Sequence, residues 1–247
     1  MTGIADSLRL TGRNVLVTGA SGGIGAAICA AFRECGAACT GVDARPAAGV
    51  LACDVGDEAA VAAAFAAAAG SRPLTDVVHA AGVLSVGPVA ELAHDELLQV
   101  LRVNLVGSFL VGREAARRLP EGGSLTFISS QAGLRGAARW SAYAASKAGV
   151  NRLAESLAQE LAPRGIRVNA VCPGTVDTPM IADAATRLAA QQGTAASTIR
   201  DGYRAGIPLG RFAKPAEIGA VCVFLASGLA SYVSGTALVV DGAELSG

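Results

Sequence analysis

Histidine is nearly missing from this chain. His79 and His94 are the only two, and neither stands at ligand spacing from a partner, so no zinc site is expected. The six cysteines, Cys29, Cys35, Cys39, Cys53, Cys172 and Cys222, form no C-x-x-C pair and read as small buried hydrophobes of a reducing compartment. Charge is scarce too. Only 16% of residues are charged, and 20 basic side chains cancel 20 acidic ones with no basic patch or charged tail, which removes the electrostatic case for nucleic acid or an anionic membrane. The opening MTGIADSLRLTGRN lacks an apolar core of signal-peptide length, so a cytoplasmic protein is expected. From Ile218 to Val240 no charge occurs, long enough for a membrane span. Ser227, Gly228, Ser231, Ser234 and Gly235 divide that run into a helix, a loop and a short strand, so no span is expected.

What is present points to one α/β domain over 1–247, because 247 residues with 52% hydrophobic content can bury a sizeable core. An apolar strand at Val15 to Val17 runs through a glycine-rich turn into an alanine-rich helix ending near Gly36. Gly19, Gly23 and Gly25 leave the backbone bare, so a pyrophosphate can approach the amides of the helix N-terminus. The next strand, Ala38 to Val42, delivers Asp43, a carboxylate placed to accept the adenosine ribose hydroxyls and repel the extra phosphate of NADP. NAD is therefore favoured, with Arg45 as the nearby cation that keeps NADP open. A short strand at Val50 to Cys53 leads to Asp54 and Val55, which can read an adenine rim; the competing reading is that Asp54 or Asp57 caps the following helix. TDVVHAAG then forms a strand ending in the small residues Ala80, Ala81 and Gly82, which let backbone lie against a cofactor.

Tyr143 and Lys147 stand four residues apart in an alanine-rich segment, so one helix face presents both. A phenol is a poor base at neutral pH, and a neighbouring ammonium is expected to lower its pKa. Ser130 ends the apolar run LTFISS, where its hydroxyl can hold a substrate oxygen beside the phenol. Asn104, inside a long helical segment from His94 to Leu119, is expected to have a hydrogen-bonding task. After the Tyr143 helix, extended to Leu161, a buried strand closes at Pro173 and Gly174, and the following residues can pass over a nicotinamide through Val176 backbone groups and the Thr178 hydroxyl. The polar stretch from Ile181 onward, 181–210, reads as an irregular substrate lid.

In combination these motifs resemble the short-chain dehydrogenase/reductase family over essentially the whole chain. TGASGGIG, with Ser21 and Ile24 inside it, resembles the family's cofactor turn; DV its adenine contact; VNLVG its asparagine; ISS and YAASK its serine, tyrosine and lysine; PGTVDTPM its nicotinamide loop. The family's NNAG reads HAAG here, so His79 and Ala80 replace two asparagines and their side-chain bonds. The resemblance implies a doubly wound parallel sheet of about seven strands with helices on both faces. It implies a homotetramer, and proton exchange by Tyr143 with Ser130 orienting the substrate, Lys147 binding the nicotinamide ribose and Asn104 holding a relay water.

HAAGVLSVG and GIPLGRFAKPAEIG further resemble dihydrodiol dehydrogenases. The leading expectation is thus an NAD-dependent dehydrogenase of a cyclic alcohol, diol or polyol, with Arg135 and Arg139 open as contacts for a substrate carboxylate and Trp140 as an apolar wall. An NADPH-dependent 3-oxoacyl-thioester reductase is the alternative that Asp43 opposes. A catalytically silent dinucleotide sensor is the other, opposed by the complete Asn104, Ser130, Tyr143 and Lys147 set.

Overall fold

Alternation decides how the central strands face. In β1 (Asn14–Thr18) Val15 and Val17 enter one apolar core while Leu16 enters another. The same split recurs in β4 (Asp76–His79) at Val77 and Val78, and in β5 (Ser124–Ile128) at Phe127 and Ile128. Both faces of these strands are therefore covered, as a parallel sheet demands. With β2 (Ala38–Asp43), β3 (Leu51–Ala52), β6 (Arg167–Pro173) and β7 (Ala237–Val240) they make a seven-stranded, all-parallel sheet of order β3-β2-β1-β4-β5-β6-β7, with Val15 opposite Cys39 and Asp76. The computed structural model describes residues 7–70 and 72–246. Residues 1–6, on which the reading of the N-terminal segment partly rests, together with Ser71 and Gly247 of the 1–247 domain, lie outside the described residues.

Helix α1 (Gly23–Glu34) covers one face through Ile28 and Phe32, beside α8 (Pro215–Ala226), which adds Ile218 and Cys222. The opposite face is covered by α2 (Glu58–Ala69), α4 (Gly107–Arg118) and α5 (Ser141–Leu161), which contribute Phe65, Val111 and Leu157. Asp57 caps α2, its Oδ1 accepting the Ala60 N–H at 2.8 Å. Asp57→Ala is expected to cost about 1 kcal/mol, read as a lower urea midpoint at unchanged slope.

Two expectations about helices need correction. The helix expected from His94 to Leu119 is two helices, α3 (His94–Leu101) and α4, joined by a π-helical turn at Arg102–Val106 that contains Asn104. The stretch expected to be irregular is helical, as α6 (Pro179–Gln192) and α7 (Ala196–Ala205). Pro179 at the start of α6 and Gly193 in the left-handed region at its end punctuate the pair. The uncharged run from Ile218 divides as expected into α8, a short 3-10 turn at Gly228–Ala230 and β7. Among the described residues no helix is long and apolar enough to cross a membrane.

Candidate active site

The carboxyl ends of the strands bring the sequence motifs together. Gly19 leaves β1 at φ 69°, and a Cβ there would lie 2.6 Å from the Ala81 backbone nitrogen. At Gly25 a Cβ would lie 2.1 Å from the Gly19 oxygen, so the turn closes on the first turn of α1 only without side chains. Gly22 caps α1 with no side-chain bond, and no acidic residue stands in its first turn, which leaves this N-terminus free for an anion. Thr178 reaches across to the same place, since a Cβ on Gly23 would meet its Cγ2 at 3.0 Å. A dinucleotide fits this bare, uncapped cradle.

At the end of β2 the Asp43 carboxylate accepts the Ser21 N–H at 3.1 Å and the Arg45 N–H at 2.9 Å, while Ser21 Oγ accepts from Ala47. Arg102, from the π-helical turn, forms a forked ion pair with the Asp54 carboxylate, which also accepts the Gly56 N–H. An adenine contact at Asp54 would share this carboxylate with a cation that no motif announced. Val55 is buried in the core, its side chain against Gly107.

Ser130, Tyr143, Lys147, Ile24, Ala80, Gly82, Pro173, Gly174, Val176 and Thr178 line one cavity of about 230 Å³. Helical spacing puts Tyr143 and Lys147 on one face of α5, with Nζ 5.7 Å from the phenol ring centre. The Lys147 ammonium is buried and donates to the Ile128 carbonyl at 2.8 Å. Burial lowers its pKa to about 8. Burial likewise pushes Tyr143 up to about 12, the Ser130 hydroxyl acting in the opposite direction. The expected depression of the phenol by Lys147 is not seen: burial is the leading influence on its pKa and pushes it up. Asn104 fulfils its hydrogen-bonding task. Its Oδ1 accepts the Val83 N–H at 2.8 Å, and its Nδ2 donates to the Val83 carbonyl and to Ser146 Oγ, both at 2.9 Å. Its backbone carbonyl accepts the Ser108 hydroxyl at 2.6 Å.

His79, one of the two residues in the HAAG departure, has a side-chain partner of its own. Its Nδ1 pairs with Thr18 Oγ1 at 2.8 Å, and that hydroxyl accepts the Ala81 N–H. The ring is buried and edge-on to Phe127, with Nε2 unpartnered among the described residues. Burial drives its pKa down to about 3, with the Lys147 charge acting the same way. Between that value and 6.5 the unfolded chain binds the additional proton, so acid destabilises the fold. Between pH 8 and pH 5 the loss attributable to His79 is about 2 kcal/mol. Urea titrations across this window should show it, and His79→Asn should flatten the slope.

Trp140 does form a wall, edge-to-face with Tyr143 at 5.8 Å and with Tyr203 of α7 at 6.5 Å. Arg135 lines the cavity; Arg139 does not, and its guanidinium turns to Gln191. Glu244 and Leu245 also line it, which sequence reading missed: they lie outside every motif, and the Asp241–Gly242 turn signal is their only trace.

A family model described as Enoyl-(Acyl carrier protein) reductase matches residues 19–243. The chain is 38% identical to D-threitol dehydrogenase of Mycolicibacterium smegmatis, covering 95% of this chain and 93% of that protein. It is 37% identical to 2,3-dihydro-2,3-dihydroxybenzoate dehydrogenase of Escherichia coli, covering 96% of this chain and 98% of that protein. It spans 44% of a longer, uncharacterized short-chain type dehydrogenase/reductase of Sinorhizobium fredii, at 38% identity over 95% of this chain. A solved short-chain dehydrogenase/reductase from Serratia marcescens superposes with a TM-score of 0.85 at 32% identity, covering 95% of this chain and 98% of that one.

Proposed function

For a chain that belongs to the short-chain dehydrogenase/reductase family, and so is an oxidoreductase acting on CH–OH groups, we propose NAD-dependent interconversion of a cyclic secondary alcohol, diol or polyol and its ketone. The observation that carries this reading is the convergence of Ser130, Tyr143 and Lys147 in one cavity bordered by the Gly23–Thr178 contact. NAD bound there supplies the hydride acceptor. Tyr143 Oη takes the proton from the substrate hydroxyl and returns it in the reverse direction. Ser130 Oγ orients the substrate oxygen. Lys147, drawn down to about 8, stabilises a phenolate once the dinucleotide is seated and holds the nicotinamide ribose. Asn104 keeps the Val83 segment in place and is the residue assigned to hold the water that continues the proton path. The α6–α7 pair, 179–205, acts as the lid, docked through Leu188 and Tyr203 in a small apolar cluster with Val86 and Trp140.

Asp43 supports NAD because its carboxylate stands where an added phosphate would meet like charge. Asp43→Ser is expected to narrow the preference for NAD over NADP by about tenfold, measured as the ratio of the two kcat/KM values. The cyclic alcohol or diol class is supported by what the relatives' names say of them and by the aromatic wall of Trp140 and Tyr203. Homotetramer formation is the assembly proposed, through α4 and α5, with Val106 at the end of the π-helical turn and Phe109 in α4 standing exposed. The second reading is NADPH-dependent 3-oxoacyl-thioester reduction, supported by the name of a relative of Mycobacterium bovis at 36% identity, 3-oxoacyl-[acyl-carrier-protein] reductase MabA. NADH production over a panel of secondary alcohols, cyclic diols, polyols and hydroxyacyl thioesters, with NAD and with NADP, separates the two. A signal only with NADP and thioesters overturns the first.

A further inference from the structure

Beyond β7 the chain makes a tight turn closed by Asp241, whose Oδ1 accepts the Ala243 N–H at 2.9 Å and whose Oδ2 accepts the Leu245 N–H at 2.8 Å. Ala243 sits at φ 70°, a left-handed conformation that a Cβ-bearing residue disfavours. The turn carries Glu244 inward. Its Oε2 accepts the Thr175 N–H at 3.2 Å, and Arg135 donates to its backbone carbonyl at 3.4 Å. Gly174 completes the contact, because a Cβ there would lie 2.8 Å from Glu244 Oε2 and 2.8 Å from Asp241 Cβ. The glycine after Pro173 is thus required by the turn that presents Glu244.

Among the described residues lining the cavity, Glu244 is the only carboxylate, facing a wall whose cations are Lys147 and Arg135. It lies against the first residues of the segment proposed to pass over the nicotinamide, and any role of Glu244 toward the cofactor rests on that reading. We infer that Glu244 makes this site bind the oxidised dinucleotide in preference to the reduced one. The oxidised nicotinamide ring carries a positive charge and the reduced ring none, so a carboxylate partly shielded from water distinguishes them by Coulomb attraction. Asp43 and the glycine cradle meet parts that are the same in both forms and contribute no difference. Lys147 and Arg135 act in the opposite sense, and Glu244 offsets them. The consequence is a site that fills with the oxidised cofactor and releases the reduced one.

The test is binding, read by isothermal titration of NAD+ and NADH separately onto the full chain without substrate. Glu244→Gln keeps an oxygen for the Thr175 N–H and removes only the charge. NAD+ affinity is expected to fall about fivefold, while NADH affinity stays within about twofold. Glu244→Ala, which also loses the Thr175 bond, should weaken both ligands. An unchanged NAD+/NADH ratio in Glu244→Gln overturns the inference, as does an equal loss of both, which would reduce Glu244 to a brace for the Gly174–Thr175 peptide. If the unsubstituted protein bound neither dinucleotide, the cofactor assignment would fall first and this inference with it.

Discussion

Tyr143→Phe is expected to lower kcat by about 100- to 10,000-fold while leaving NAD affinity unchanged. The substitution deletes one oxygen and keeps the ring, so the edge-to-face contact with Trp140 and the position of Lys147 survive. What is lost is the group that accepts and returns the proton. The phenol, pushed up to about 12 by burial, is neutral at ordinary pH, so no charge disappears on substitution. A defect in turnover is therefore not a defect in folding. Stopped-flow turnover with a responsive alcohol, paired with NAD titration of the same variant, checks this. Near-normal kcat with intact binding would remove Tyr143 from the chemistry.

Gly25→Val should weaken NAD binding by about 100-fold or more and lower the melting temperature. Its Cβ would stand 2.1 Å from the Gly19 oxygen and 3.0 Å from Ala20 Cα, both backbone atoms that no rotamer change can move aside. Gly19 has no room to retreat, since the Ala80–Ala81 peptide already occupies the space beside it. One segment must shift, and each belongs to the proposed pyrophosphate cradle. Gly136→Ala is the control, as its Cβ would meet nothing within 4 Å. Equal NAD affinity in the two variants would argue that the cradle tolerates displacement and does not hold the phosphates.

Local features carried these expectations. The Val15 to Val17 strand, the glycine turn and the helix after it were legible because each depends on neighbours within a few residues. The same holds for the Tyr143–Lys147 pair, whose shared face follows from helical spacing alone. The end of α5 at Leu161 follows from the same local signals, and the alternative that Asp57 caps its helix proved right. The stretch from Ile181 onward was not legible as two helices. Its alanines favour helix, but its apolar residues pattern weakly, and the docking of Leu188 and Tyr203 on Val86 and Trp140 is a long-range event.

The sequence by itself therefore determined the strands, the bare glycine turn, the spacing of the Tyr143 face and, through ordered motifs, the family. Tertiary structure alone decided that Arg102 from a π-helical turn pairs with Asp54, that His79 ties Thr18 beneath Ala81, and that Arg135 rather than Arg139 faces the cavity. It alone brought Glu244 against Gly174, residues far apart in the chain. The physical reason is range: a side chain's periodicity and turn propensity are set by its chain neighbours, whereas its desolvation and partners are set by whichever segments the packed sheet brings beside it.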